Sequence, residues 1–336
     1  MKFNIYNRRY TGSKTKLNDW IESLIEKHCH DYSSLADIFA GTGAVAAHNI
    51  HKFNKLILND ILFSNQIIYS AFFSKGRYNK SKLINFEKIF QEINAKNVKK
   101  NYFSNNFGNK FFNKDDALII GNIRELIEEN KKDLNNKEYD ILITSLLYSA
   151  DKAANTVGHY DAYRKIENIK RKFDFKLIEP ISHECEVKIY REDANDLVKK
   201  ISADIVYIDP PYNSRQYSRF YHVLENLTKW EKPKLHGVAL KPEPENMSDY
   251  CRNAAFEKFN NLITNIDAKK IIVSYNNTYK SKSSSSKNKI TLEQISSTLK
   301  NKGKTHVYSK SHAHFNAGKT DFSDHKEYLF ITEVKG

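Results

Sequence analysis

The sequence predicts an α/β fold. A mostly parallel sheet is closed by an antiparallel C-terminal hairpin and interrupted by a mostly helical insertion. Three observations carry this. "SSLADIFAGTGAVAAHNI" joins an apolar run, a Gly-containing turn and a small-residue helix start, and a second apolar run, "KLILND", comes next. Strand, turn, helix, strand is the opening of a parallel α/β unit. Strand patterns are absent from about Phe63 to Pro180, then return in "EVKIYRED", "ADIVYIDPPY" and "KKIIVSYNNT". The tail carries "KTHVYSKS" and "HKEYLFITEV", which are spaced to pair antiparallel.

Taken in order, "NRRYTGSKTKL" reads as a loop. "LNDWIESLIEKH" places Leu17, Ile21, Leu24 and Ile25 on one helical face. The middle of the chain is rich in Asn, Lys, Phe and Tyr and has helical patterns such as "KLINFEKIFQEI" and "ALIIGNIRELIEEN". "SKSSSSKNK", Ser281 to Lys289, is a low-complexity polar loop. The expected domain map is one domain from residues 1–63 and 186–336, with residues 64–185 as an insertion.

The totals bound the function. A chain of 336 residues with 40% hydrophobic and 12% aromatic residues can bury a real core. Lys plus Arg number 54 against 40 Asp plus Glu, a formal charge of +14. That surplus suits a polyanionic partner, either nucleic acid or an acidic membrane. Cys29, Cys185 and Cys251 are odd in number and lack CxxC spacing, so neither a disulfide framework nor a thiolate zinc site is indicated, and a cytoplasmic setting fits. The N-terminus lacks the apolar core of a signal peptide, and no apolar run nears the roughly 20 residues of a membrane span. The balance moves toward nucleic acid and away from a membrane.

"DIFAGTG", Asp37 to Gly43, delivers an apolar strand into a tight turn. Gly41 and Gly43 permit positive φ and close approach of a ligand, and the following helix start offers free N–H groups. The third glycine of the dinucleotide fingerprint is missing, so NAD is a weak match; the alternative is a turn with no ligand. Asp60 ends the next strand about 20 residues on, where an acid can accept from ribose hydroxyls. The alternative there is a turn or helix N-cap.

"DPPY", Asp209 to Tyr212, stops a strand abruptly, because Pro210 and Pro211 have no N–H to share. Ligands of parallel sheets bind outside the carboxyl ends of the strands. Asp209 and the Pro210 carbonyl are two acceptors, and Tyr212 is a flat surface. The set suits a planar group bearing an NH2. Two acceptors pulling on its hydrogens favour the pyramidal amine whose lone pair can attack.

"DIFAGTG", then Asp60, then "DPPY" resembles the S-adenosylmethionine-dependent DNA amino-methyltransferases, which are Rossmann-like. "RRYTGSK", the helical insertion and the late "DPPY" narrow the resemblance to the adenine-specific group typified by DNA adenine methylase. The resemblance covers roughly residues 5–63 and 185–336. It implies S-adenosylmethionine as cofactor, double-stranded DNA as substrate, base flipping and a cytoplasmic restriction–modification role with a cognate endonuclease. By its motifs, Tyr10 and Lys14 border the cofactor, and Asp37, Phe39, Gly41 and Gly43 wrap its methionine part. Asp60 holds the ribose and Asp193 touches the adenine. Asp209, Pro210, Pro211 and Tyr212 hold the target base, with Asp209 also close to the cofactor. Tyr10 stands where the family often has Trp. An RNA or protein methyltransferase, or an inactive nucleic-acid-binding relative, is the alternative reading.

After the motif, Arg215, Tyr217 and Arg219 are candidate DNA contacts. The competing reading of that segment is a packed helix with Phe220, Val223, Leu224 and Leu227 as its core face. "SHAHF", His312 to Phe315, lacks a third ligand and is read as no metal site. "NTVGHYDAYRK", Asn155 to Lys165, suits a DNA-contacting loop or a packed one.

Overall fold

The computed structural model describes residues 2–165, 169–278, 287–311 and 325–335; His312 to Phe315 and most of the Ser281 to Lys289 loop lie outside them. The chain divides into two compact units. One comprises Lys14–Ile61, His183–Gln216 and Asn246–Gly336, the other Met1–Ser13, Leu62–Ser182 and Tyr217–Glu245.

The first unit is a seven-stranded sheet. In chain order the strands are β1 (Ser34–Asp37), β2 (Lys55–Asn59), β3 (Glu186–Tyr190), β4 (Ser202–Ile208), β5 (Asp267–Asn276), β6 (Gly303–Ser311) and β7 (Lys326–Val334). In space they run β3-β2-β1-β4-β5-β7-β6. The first five are parallel, and β7 lies antiparallel between β5 and β6. The central strands are apolar because both faces are covered: Leu35, Ala36, Ile205, Val206, Ile271 and Ile272 are all buried. On one face Phe259, Leu262 and Ile263 of the helix Ala255–Asn265 join Ile295 and Leu299 of the helix Leu292–Lys302 against the sheet. Helix Asn18–His28 buries Ile21, Leu24 and Ile25, as its 3.6-residue period requires.

Because β1 to β5 are parallel, their carboxyl ends share one edge. Buried Asn59 staples three of those ends. Its amide donates to the carbonyls of Ile38 and Glu192 at 3.1 Å each, and its side-chain oxygen accepts from the Glu192 N–H at 3.0 Å.

The second unit is helical, with helices at Phe63–Phe73, Lys80–Glu92, Tyr102–Phe107, Lys114–Glu129 and Asn136–Ala153. Asn136–Ala153 is buried almost all round, and Asn135 with Glu138 closes its start in a capping box. Helix Phe63–Phe73 has no side-chain cap of its own at Leu62. Glu225 supplies one from 162 and 161 residues away, accepting from the N–H groups of Phe63 (3.0 Å) and Ser64 (2.7 Å). At the other end Lys137 donates to the carbonyls of Ser70, Ala71 and Ser74. Opposite charges thus sit at the two poles of the helix dipole. Burial lowers the Lys137 ammonium to about 8. Tyr217–Phe220 and His222–Lys229 pack within this unit, burying Phe220, Val223, Leu224 and Leu227, so the core-face reading of that segment holds. No helix among the described residues is long and apolar enough to cross a membrane.

Candidate active site

The carboxyl edge of the sheet gathers the predicted site residues of the first unit. Asp37 ends β1 and the chain turns through Gly41 and Gly43, whose φ values are 52° and 73°. Such angles disfavour any residue with a Cβ. The turn is pinned by its own amides, with Gly43 N–H on the Ala40 carbonyl (2.7 Å) and Ala40 N–H on the Asn59 carbonyl (2.9 Å). Asp60, one residue past β2, accepts from the Gly41 N–H at 3.0 Å. Phe39 meets Tyr250 edge-on at 5.1 Å. Asp193 is exposed and caps the short helix Ala194–Leu197 through the Asn195 N–H.

Asp209 follows β4, and its side chain is 16% exposed. It is fully engaged: Oδ2 meets the Lys14 ammonium at 2.9 Å, and Oδ1 accepts from the Tyr212 hydroxyl. Lys14 also meets the Tyr212 hydroxyl and the Glu327 carboxylate, the latter at 3.2 Å. Tyr212 OH lies 3.0 Å from Glu327 Oε1. The Tyr212 ring is met edge-on by Tyr275, and its carbonyl accepts from the Lys289 N–H at 2.8 Å. Pro210 is buried and Pro211 half-buried. The motif is therefore a held loop.

The electrostatics are unusual in their crowding. Asp209 and Glu327 flank one buried cation, Lys14, and Asp37 feels the charges of Asp209, Asp60 and Lys14. Burial first, then Asp209 and Asp60, push the Asp37 carboxyl well above its ordinary range against the pull of the Phe39 amide and Lys14. Burial and Glu327 push Asp209 up to about 6 despite Lys14. The two carboxylates beside Lys14 overcome its desolvation, so its ammonium is held above the ordinary lysine value. Asp37 Oδ1 is buried and without a hydrogen-bond partner among the described residues.

Arg215, in the same unit, donates its backbone N–H to Asn213 Oδ1 at 3.1 Å, and its carbonyl accepts from Cys251 Sγ. Tyr10, Tyr217 and Arg219 belong to the helical unit. Tyr10 stacks on Tyr221 at 4.5 Å and on Tyr217 at 5.3 Å, with the Arg8 guanidinium over its ring. Tyr217 OH donates to the Thr11 carbonyl at 3.2 Å, and Arg219 to the Pro242 carbonyl at 2.6 Å. In the Asn155 to Lys165 stretch, His159 stacks on Phe220 and Tyr160 is buried, donating to Asp151. Burial pushes the thiols of Cys29 and Cys251 up to about 11 and about 12, which leaves them unreactive. Asp19, Glu22 and His48 meet near the surface, but Lys52 already neutralises Glu22.

Glu327 and Ser274 were not legible as site residues. Glu327 is the second residue of "KEYLFITEV", just before the apolar run "YLFI", and only the insertion of β7 beside β5 brings it to Tyr212. A charged residue in an apolar strand was the available signal.

Residues 10–276 match the family of D12 class N6 adenine-specific DNA methyltransferases. Three relatives are similar along most of this chain. Modification methylase LlaI of Lactococcus lactis subsp. lactis is 32% identical over 80% of the chain and 46% of its own length. Type II methyltransferase M.CviAII of Paramecium bursaria Chlorella virus 1 is 31% identical over 97% of the chain and 98% of its own length. Type II methyltransferase M.NlaIII of Neisseria lactamica is 28% identical over 96% and 98%. The chain thus spans about half of the first relative and nearly all of the other two. A family match running from Tyr10 to Asn276 takes in both the glycine turn and the Asp209–Tyr212 motif, and the chain belongs to the D12 class of N6 adenine-specific DNA methyltransferases.

Proposed function

We propose that the chain methylates the exocyclic amino group of adenine within a specific double-stranded DNA sequence, using S-adenosylmethionine, as the modification enzyme of a restriction–modification pair. A cognate endonuclease acting on the same site is the expected counterpart, and the cytoplasm the expected setting. The observation that carries the reading is the Asp209–Tyr212 motif beside the glycine turn on one sheet edge.

The residues on this edge fit the cofactor. The acidic groups Asp37, Asp60 and Asp209 on this edge suit a ligand carrying a sulfonium and an ammonium, and the buried Asp37 Oδ1, unpartnered among the described residues, is an acceptor awaiting a donor. Gly41 and Gly43 leave the space that a Cβ would fill, Asp37 and Phe39 with that turn wrap the methionine part, Asp60 accepts from ribose hydroxyls, and Asp193 touches the adenine. When bound, S-adenosylmethionine supplies an electrophilic methyl group.

This chain's own residues do the rest. Asp209 and the Pro210 carbonyl accept the two amino hydrogens of the target adenine, and Tyr212 supports the base. Drawing on those hydrogens localises the nitrogen lone pair for attack and stabilises the developing charge. The departing amino proton passes to Asp209 or solvent. To enter, the base leaves the duplex at a cost of a few kcal/mol, offset by stacking and edge hydrogen bonds. The helical unit is the proposed DNA-recognition body and bears Tyr217 and Arg219; Arg215, in the sheet unit, is a further proposed DNA contact. By sequence it holds 29 Lys plus Arg against 19 Asp plus Glu, whereas the sheet unit holds 25 against 21, so most of the basic surplus lies there.

The test is transfer of labelled methyl from S-adenosylmethionine to duplex DNA, RNA and protein side by side. Label in duplex DNA alone is expected. Label in RNA or protein instead would overturn the reading.

A further inference from the structure

Glu327 is a buried carboxylate outside every motif of the chain. It stands at the start of β7 opposite Asn276 of β5, and it is 3% exposed. Its Oε1 accepts from Ser274 Oγ at 2.7 Å and lies 3.0 Å from Tyr212 OH and 3.2 Å from Lys14 Nζ. Lys14 and Tyr212 are also the two partners of Asp209. Four side chains thus close a ring: Lys14, Asp209, Tyr212, Glu327.

The ring sets a problem for the reaction. Asp209 must offer an oxygen to the amino group of the base, yet Lys14 occupies one oxygen and Tyr212 the other. A phenol carries one proton, so Tyr212 donates to Asp209 or to Glu327, never to both. An ammonium stripped of its counter-ion in a buried site is strongly disfavoured. Something must hold both groups when Asp209 lets go of them, and Glu327 is already within reach of each.

We propose that Glu327 is a positioning residue, which takes over the Lys14 ammonium and the Tyr212 hydroxyl when the substrate amino group engages Asp209. Ser274 fixes its carboxylate for that exchange. The inference rests on the adenine methyltransferase reading above and deepens it.

A pH consequence follows. The groups facing Asp209 are Lys14 from the N-terminal loop, Tyr212 from its own loop, Tyr207 of β4, Asp37 of β1 and Glu327 of β7. Glu327 faces Lys14, Tyr212, Tyr207 and Ser274. Only ionised Asp209 accepts from the amino group fully, so the rate should fall as pH drops through about 6. Glu327's negative charge helps to hold Asp209 that high. Removing the charge lowers the proton affinity of Asp209 and gives it sole possession of Lys14.

The experiment is single-turnover methyl transfer by the full chain on duplex DNA across the acid-to-neutral range, for wild type, Glu327→Gln and Glu327→Asp. Glu327→Gln should lower the plateau by about tenfold or more and move the acid limb down by about one pH unit. Glu327→Asp keeps the charge but not the reach, so its limb should stay while its plateau falls less. A Glu327→Gln limb that does not move, or an unchanged plateau, would overturn the inference. If Glu327→Gln does not fold, Glu327→Asp decides: a wild-type plateau or a displaced limb would overturn it. An active wild type with an unmoved limb sinks this inference alone, whereas a wild type that methylates no DNA sinks the underlying reading with it.

Discussion

Asp209→Asn should make the protein more stable and much less active. In the folded chain this carboxyl is pushed from an ordinary 3.8 up to about 6, first by burial and then by Glu327, with Lys14 opposing. An acid whose folded pKa is raised stabilises the fold only while neutral. That contribution is present below about pH 4, is lost as pH rises through about 6, and is gone at pH 8. At about 1.4 kcal/mol per tenfold change in proton affinity, the ionised group costs the fold up to about 3 kcal/mol at pH 8. An amide has no proton to lose and still offers an oxygen to Lys14. We therefore expect a gain of about 1–3 kcal/mol at pH 8, read as a rise of a few degrees in Tm, and little gain near pH 4. Catalysis should move the other way, by about 100- to 1000-fold or more, because the amide replaces a charged acceptor at the reacting amine. Paired thermal melts and methyl-transfer assays check both halves. A variant less stable at pH 8, a gain equal at both pH values, or near-normal turnover would refute the reasoning.

Three further outcomes are expected. Gly41→Val should abolish S-adenosylmethionine binding by calorimetry while the chain still folds, since a β-branched side chain at φ 52° is strained and fills the ligand's space. DNA affinity should fall about 10³- to 10⁵-fold between about 50 and 200 mM salt if about 6 to 10 phosphates are contacted. Each of Arg215→Gln and Arg219→Gln should reduce that salt slope by about one without changing the preferred sequence, whereas changes between about residues 64 and 185 should relax that preference. Glu225→Gln should destabilise the helical unit by about 1–3 kcal/mol, because a buried N–H and a part-buried one lose a charged acceptor, and urea unfolding followed by tryptophan fluorescence in a Trp20→Phe background, which leaves Trp230 as reporter, measures it.

The sheet was readable because its signals are local. Apolar runs such as "DIVYI" and "KIIVSY" become buried parallel strands, and "KTHVYSKS" with "HKEYLFITEV" becomes the antiparallel β6–β7 pair. The glycine turn and the Asp209–Tyr212 motif were readable because two glycines and two prolines constrain the backbone wherever they stand. What stayed hidden depends on pairing across long separations. Tyr10 stacks on Tyr221, and Glu225 caps a helix at Phe63. Neither pairing leaves a periodic trace. The engagement of Asp209 by Lys14 and Tyr212, with Glu327 behind both, was hidden for the same reason, since it joins residues from three distant stretches. Sequence reasoning presented Asp209 as an open acceptor, but the structure holds it in an ion pair.

The central claim is a methyl group placed on the amino nitrogen of adenine in duplex DNA. The direct measurement is to incubate the chain with duplex DNA and S-adenosylmethionine, digest the DNA to nucleosides, and identify the methylated product by mass spectrometry. The account predicts N6-methyldeoxyadenosine, confined to one short sequence context and lost with Asp209→Asn. Methyl on cytosine, or N6-methyldeoxyadenosine formed equally well by Asp209→Asn, would contradict it.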